Sequence, residues 1–316
     1  MDKNRKILIS ILMLLVLSSV LAIIDISLTM QGTRRALPTL ATPDTGPGVG
    51  VVRVYGTISS IARSGGPFDG DAGADGVIRR LSELEADGRI KAVVLRINSP
   101  GGTVGASQEI YEKLMKLRKK NVVLVASMAE LAASGGYYIA SACGHICANQ
   151  GTITGSIGVI ASAPNLKGLF ERLGIHMNVI KSGKYKDMLA AHKDMTPEER
   201  DIVQKLIDSA YHKFVKDVSV GRNLAISDIE PYADGRVMNG EAAVACKLVD
   251  EVGTFEDAIA RAKILAKLPE DAPVYEESHG PFDRFLGMLS GVLGPETRVD
   301  RLLMMGPPMI EYRYQP

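Results

Sequence analysis

The sequence predicts an α/β protein whose strands run largely parallel. Short Val- and Ile-rich runs alternate with amphipathic segments along the chain, the pattern of strands joined by crossover helices. With 316 residues the chain can bury a large core in one or two domains. Its 32 glycines gather around the apolar runs, which suits tight strand–helix packing.

Lys3, Arg5 and Lys6 precede an apolar run from Ile7 to Ile24, broken only by Ser10, Ser18 and Ser19. As a helix this run is about 27 Å long at about 1.5 Å per residue, just enough to cross a bilayer. The basic flank stays in the cytoplasm, so everything after Asp25 is expected outside it. Val20-Leu21-Ala22 is a tolerable signal-peptide cleavage site. An uncleaved anchor over 1–25 is the expectation, because the apolar run continues past Ala22. Residues 26–48, with Pro38, Pro43 and Pro47, read as a mobile linker.

The main domain is expected over 49–268. Gly50–Ile58 is its first strand. Val77, Leu81 and Leu84 recur at helical spacing within Gly76–Gly88, and Ile90–Ile97 is a second strand running into Asn98-Ser99-Pro100-Gly101-Gly102. A helix follows over about Val104–Lys119, with Ile110, Leu114 and Leu117 inward and a basic C-terminal end. Val122–Met128 is a third strand and Tyr137–Cys143 a buried helix. Ile146–Ala148 and Ile153–Ala161 are further strand candidates. A helix over Leu166–Leu173 leads to a strand at Met177–Ile180. Thr196-Pro197-Glu198-Glu199 is a strong helix start, combining N-cap, first-turn Pro and capping-box Glu199, and that helix runs to about Val220. Short helices are expected near Gly240–Cys246 and Phe255–Lys267. Residues 269–316 read as an extended C-terminal arm.

A net charge of +1 gives no sign of a nucleic-acid surface. The three cysteines, Cys143, Cys147 and Cys246, make no disulfide framework. Cys143-x-His145-x-Cys147 invites a metal reading, but no acidic residue or second His is close in sequence. The expectation is buried structural thiols and no metal or other cofactor.

Chemistry concentrates at Ala132-Ala133-Ser134-Gly135-Gly136. Ser134 falls where a strand and loop pass into a helix. Free backbone N–H groups and the helix dipole favour negative charge there, and two glycines permit close approach of another chain. A hydroxyl at that place is suited to attack a carbonyl. The same pattern also describes a serine that merely caps a buried helix. Gly101 and Gly102, opening a helix roughly 30 residues earlier, could supply an oxyanion donor beside the N–H of Gly135. None of the five histidines stands in a recognisable triad motif and no G-x-S-x-G occurs. The other available base is a lysine. A free lysine has a pKa of about 10.4, so it must be desolvated to act near neutrality. Lys181, Lys184 and Lys186 lie in one Gly-containing loop, which equally reads as a solvated basic loop.

Taken together, A-S-G-G-Y-Y after N-S-P-G-G, then T-G-S-I-G-V, K-S-G-K-Y-K-D, D-G-R-V-M-N-G-E-A-A and L-V-D-E-V-G resemble the signal peptide peptidase A family. These are membrane serine proteases with a Ser/Lys dyad. The resemblance covers about residues 50–265 and follows the short, single-copy form. It implies a Clp protease/crotonase-like fold of repeated ββα units behind one transmembrane helix. It implies Ser134 as nucleophile, Lys186 as general base and Ser156 as the hydroxyl that positions the lysine, with no metal or organic cofactor. Clp relatives carry a His one strand beyond the nucleophile's helix, whereas Thr152–Val159 here has none, which agrees with a lysine base. The implied substrates are cleaved signal peptides. The implied setting is the bacterial inner membrane, with residues 7–24 in the bilayer and the catalytic domain on the periplasmic side, in a homo-oligomeric ring without nucleic acid. In the double-length form the serine and lysine come from different halves, so a short chain is expected to pair Ser134 with Lys186 of a neighbour. A crotonase-type acyl-CoA enzyme and a non-catalytic membrane scaffold of the same fold are the rivals.

Overall fold

The computed structural model describes residues 46–60, 73–276 and 310–313. The expected anchor over 1–25, almost all of the linker and most of the C-terminal arm lie outside these residues. Among the described residues no helix is long and apolar enough to cross a membrane.

The described residues begin with β1 (Gly48–Tyr55), α1 (Ala74–Ala86), β2 (Ile90–Ser99) and β3 (Gly101–Thr103), then α2 (Val104–Lys119), β4 (Val123–Ala133) and α3 (Gly135–Ser141). Next come β5 (His145–Ala148), β6 (Ile153–Gly155), β7 (Ile160–Ala161), α4 (Lys167–Arg172) and the long α5 (Pro197–Arg222). The remaining described elements are α6 (Ile226–Ile229), a single 3-10 turn (Glu230–Tyr232), β8 (Val237–Asn239), α7 (Gly240–Ala245), β9 (Glu251–Val252), α8 (Phe255–Leu265), β10 (Val274–Tyr275) and β11 (Ile310–Arg313).

The main sheet has the order β10-β1-β2-β4-β5-β9, parallel throughout. Past the end of β5, β4 continues and pairs in parallel with β6, and β6 pairs antiparallel with β8. The sheet is therefore mixed. Alternation along each strand decides which layer its side chains enter. Val52 and Val54 of β1 join Leu81, Ile110, Leu114 and Phe214 in the larger core. Val49 and Val51 join Val94, Val125, Ala258 and Ala262 beneath α8 on the opposite face. With helices on both faces the strands are buried twice over, so they read as continuous apolar runs.

The α/β expectation holds for the parallel core, and the departures have physical causes. β4 extends beyond the expected Met128 to Ala133 because β6 supplies a new partner where β5 ends. The expected strand Ile153–Ala161 is divided, since Gly155 and Ser156 take φ of 82° and 52° and interrupt the pleat. Met177–Ile180 forms no strand: it has no ladder partner among the described residues, and Ile180 is fully exposed. Thr196 caps α5 with the full capping box to Glu199.

A second, three-stranded sheet has β11 at its centre, antiparallel to both β3 and β7. Tyr312 is fully buried against Tyr138 and Phe214, with ring centroids 5.1 and 4.6 Å away, and its hydroxyl donates to the Ala210 carbonyl at 2.8 Å.

Candidate active site

β4 delivers Ser134 to the N-terminus of α3 in an unusual conformation, φ 53° and ψ −115°. A residue with a Cβ rarely adopts positive φ, and such strain costs on the order of 1–3 kcal/mol unless the surroundings fix it. Here they do. The Ser134 N–H donates to the Gly155 carbonyl at 2.8 Å, and the Tyr138 N–H donates to the Ser134 carbonyl at 2.8 Å. Every residue of α3 is buried. The Tyr137 hydroxyl donates to the Leu248 carbonyl at 2.9 Å, and the Tyr138 hydroxyl donates to the Asp217 carboxylate. A Cβ at Gly136 would lie 2.7 Å from the Ser99 carbonyl oxygen, so the helix start can sit this close to β2 only as glycine. A sharp strained strand-to-helix turn is how several hydrolases present a nucleophilic serine.

Ser134 lines a cavity of about 450 Å³ together with Ser156, Ile160, Tyr211, Asp234 and Arg313, among others. Ser156, also at positive φ, is pinned by its N–H donating to the Arg236 carbonyl at 2.7 Å. The two serines named from sequence thus meet in one cavity. Asp234 is held by Arg236, whose Nη2 lies 2.6 Å away and which keeps that carboxyl down at about 2. Among the described residues no His or Cys lines the cavity.

The three glycines also converge. A Cβ at Gly101 would lie 2.5 Å from the Gly135 nitrogen, so these two backbones touch. The N–H of Gly101, however, already donates to Ser99 Oγ at 3.1 Å. The Gly101 carbonyl and the Thr103 N–H both engage Ile58. By strand alternation the N–H and carbonyl of Gly102 face the other edge, toward Tyr312 of β11.

Lys186 is elsewhere. It is exposed and does not line the Ser134 cavity. Its loop is clamped by charge: Lys181 Nζ lies 2.6 Å from Asp187, Lys193 Nζ lies 3.2 Å from Asp187 and 2.6 Å from Glu199. Lys181 first, then Lys193, holds the Asp187 carboxyl down at about 2. Lys184 faces Glu198 at 3.9 Å. Among the described residues Lys186 is the one lysine of the three without a carboxylate within ion-pair distance. Sequence reasoning missed the clamp, Tyr211 and the part played by residues 310–313. Asp234 and Arg236 did stand within a quoted motif, but their pairing needs the turn.

Comparison with known proteins completes the picture. The family model for Peptidase family S49 matches residues 116–269, and that for Clp protease matches residues 61–149. A Synechocystis sp. protein named for a protease, slr0021, is 45% identical over 226 residues, 72% of this chain and 81% of that protein. The chain belongs to peptidase family S49. An Enterococcus faecium protein of this kind, named for signal peptide peptidase SppA, is 40% identical over 199 residues, 63% of this chain and 58% of that protein. The Arabidopsis thaliana protein "Serine protease SPPA, chloroplastic" is 34% identical over 260 residues, 81% of this chain and 38% of that protein. The S49 chain described here is a serine protease, with a Clp protease-like α/β fold.

Proposed function

We propose that this S49 protease is a membrane-anchored endopeptidase that cleaves remnant signal peptides, with Ser134 as nucleophile and Lys186 as general base. The observation that carries the reading is the setting of Ser134. It occupies a strained, fully braced turn that opens on a cavity, beside a slot between β3 and β7 already shaped for an extended strand. A peptide laid in that slot would make the ladder that residues 310–313 now make, a general mode of peptide capture.

In the proposed reaction the neutral Lys186 amine takes the Ser134 Oγ proton as Oγ attacks the scissile carbonyl. The N–H groups of Gly102 and Gly135 receive the oxyanion, with Gly101 allowing the close approach. The resulting ammonium returns its proton to the departing amine. Water, activated by the same lysine, then releases the acyl group from Ser134. Ser156 positions the lysine amine.

Lys186 belongs to this site through a neighbouring chain. Its exposure outside the cavity supports this, as does the run of exposed apolar side chains just before it, Leu169, Leu173, Met177 and Ile180. An apolar surface of that kind marks an interaction site, and a second copy in a closed head-to-tail ring would cover it. Residues 7–24 would anchor the chain in a bacterial inner membrane, with the protease domain on the periplasmic side. The test uses the full chain in detergent. Wild type should cleave apolar signal-peptide substrates and react with a fluorophosphonate probe. Ser134→Ala should do neither while keeping its far-UV circular dichroism. Retained cleavage by Ser134→Ala would contradict the reading.

A further inference from the structure

Strand pairing assembles a donor set that the sequence keeps apart. β5 places His145 and Cys147 two residues apart on one face, and the parallel register of β5 with β9 sets Glu251 directly beside Cys147. A ring nitrogen of His145, Cys147 Sγ and a Glu251 carboxylate oxygen all lie within 4.8 Å of one another. The sheet and α8 enclose them: Cys147 is fully buried and the His145 side chain is 19% exposed.

One detail distinguishes this cluster from an ordinary polar network. His145 Nε2 is buried and lies 3.0 Å from Glu251 Oε1, yet the two do not meet in hydrogen-bond geometry. Two donor atoms in contact but not aimed at each other is the relation of two ligands aimed at a common third point. The Cys147 S–H donates to the same Glu251 oxygen at 3.0 Å, a hydrogen bond that metal binding would exchange for two bonds to the ion. In a tetrahedral zinc site, bonds of about 2.0–2.3 Å put neighbouring donors roughly 3.3–3.6 Å apart, so both contacts to Glu251 would open by about half an ångström and His145 and Cys147 would draw around the ion.

The surroundings are arranged as supports for such ligands. Arg261 grips both oxygens of Glu251, donating from Nη2 to Oε2 at 2.5 Å and from Nε to Oε1 at 3.1 Å, which fixes the carboxylate with Oε1 beside His145 and Cys147. Asp250 Oδ2, which accepts from the Ile146 N–H at 2.7 Å, lies 3.9 Å from His145 Nδ1 and adds a negative charge behind the ring. Carboxylates and hydrogen-bond donors behind the ligands are the usual means of fixing their orientation.

We propose that His145, Cys147 and Glu251 bind a divalent zinc-type ion through Nε2, Sγ and Oε1, with water as the fourth ligand. Thiolate with imidazole and carboxylate is a donor set that favours zinc over magnesium or calcium. On binding, the Cys147 S–H bond is lost, its proton leaves to solvent, and the sulfur bonds the ion. The site is structural, tying β9 to β5. Cys147 is level with Ser127 of β4, seven residues before Ser134, or about 23 Å along the strand.

Cobalt reports on this site without reference to proteolysis. Full-length protein in detergent, stripped with a chelator and titrated with Co²⁺, should take up one equivalent and develop a thiolate-to-cobalt charge-transfer band. Zn²⁺ should abolish the band and raise the thermal midpoint. Cys147→Ser should lose the band, and His145→Asn, which changes a part-exposed side chain, should weaken Co²⁺ binding at least tenfold. Cys246→Ser should leave both unchanged. Absence of a charge-transfer band in the wild type would overturn the proposal. So would a band that survives both Cys147→Ser and His145→Asn, or a thermal midpoint that Zn²⁺ does not move.

Discussion

Tyr312 stands opposite Gly102 in the antiparallel pairing of β11 with β3, and its carbonyl oxygen would lie 2.0 Å from a Cβ added at Gly101. A segment close to the C-terminus therefore runs through the slot where the proposed reaction needs a peptide. Substrate and residues 310–313 would compete for the same edges of β3 and β7. Ending the chain at residue 309, or making Tyr312→Ala, should lower KM for a peptide substrate several-fold. An unchanged KM in both variants would mean the peptide lies elsewhere.

The glycines offer a sharper contrast. Gly101→Ala is strained at φ +96° and would meet the Tyr312 carbonyl and the Gly135 nitrogen. A Cβ at Gly102 would lie 1.8 Å from the Ile58 carbonyl oxygen. Either substitution should reduce kcat/KM by at least a hundredfold, the scale of losing an oxyanion donor. Gly105, inside α2 with nothing within 4 Å, is the control. Gly105→Ala should keep activity and stabilise the fold by up to about 1 kcal/mol. Thermal melts and peptide kinetics on the three variants check this.

What the sequence made legible follows from how local each signal is. Val52 and Val54 announce β1, and Thr196 with Glu199 announces α5, because the causes lie within a few residues. Ser134 is readable for the same reason, since its strand, two glycines and helix are contiguous. The break at Gly155 and Ser156 depends on the Arg236 carbonyl, 80 residues on, and the course of Tyr312 depends on rings at Tyr138 and Phe214. Neither leaves a local trace. Cys147 and Glu251 failed to suggest a cluster for one reason: the acidic partner arrives through β9, far along the chain.

The charge clamp on the Lys186 loop has a defined pH range. Asp187 is held down at about 2 against an ordinary value of about 3.9. A carboxyl lowered on folding stabilises at pH above the unfolded value, and that contribution is lost as pH falls from about 4 through about 2. The clamp therefore stays charged at every pH where a lysine base could work. Asp187→Asn should break it at neutral pH, making residues 181–189 quicker to be nicked by added trypsin and lowering kcat. Nicking and kcat unchanged from wild type would show that the clamp does not present Lys186.

A lysine base acts only when neutral, so kcat/KM should rise toward alkaline pH. Lys186→Ala and Lys186→Arg should be inactive, because an arginine stays charged. Lys184→Ala and Lys181→Ala should retain activity, the latter less well because it weakens the clamp on Asp187. Peptide kinetics across pH check this series. Loss confined to Lys184→Ala would move the base within the loop.

The central claim is that Ser134 and Lys186, which do not share a cavity within one chain, work together across two. The direct measurement is to co-assemble full-length Ser134→Ala chains with Lys186→Ala chains and assay peptide cleavage. Each parent should be inactive alone. A site shared between chains will sometimes receive the intact serine from one parent and the intact lysine from the other, so mixed rings should regain part of the wild-type rate. No recovery, in rings shown independently to contain both variants, would contradict the account.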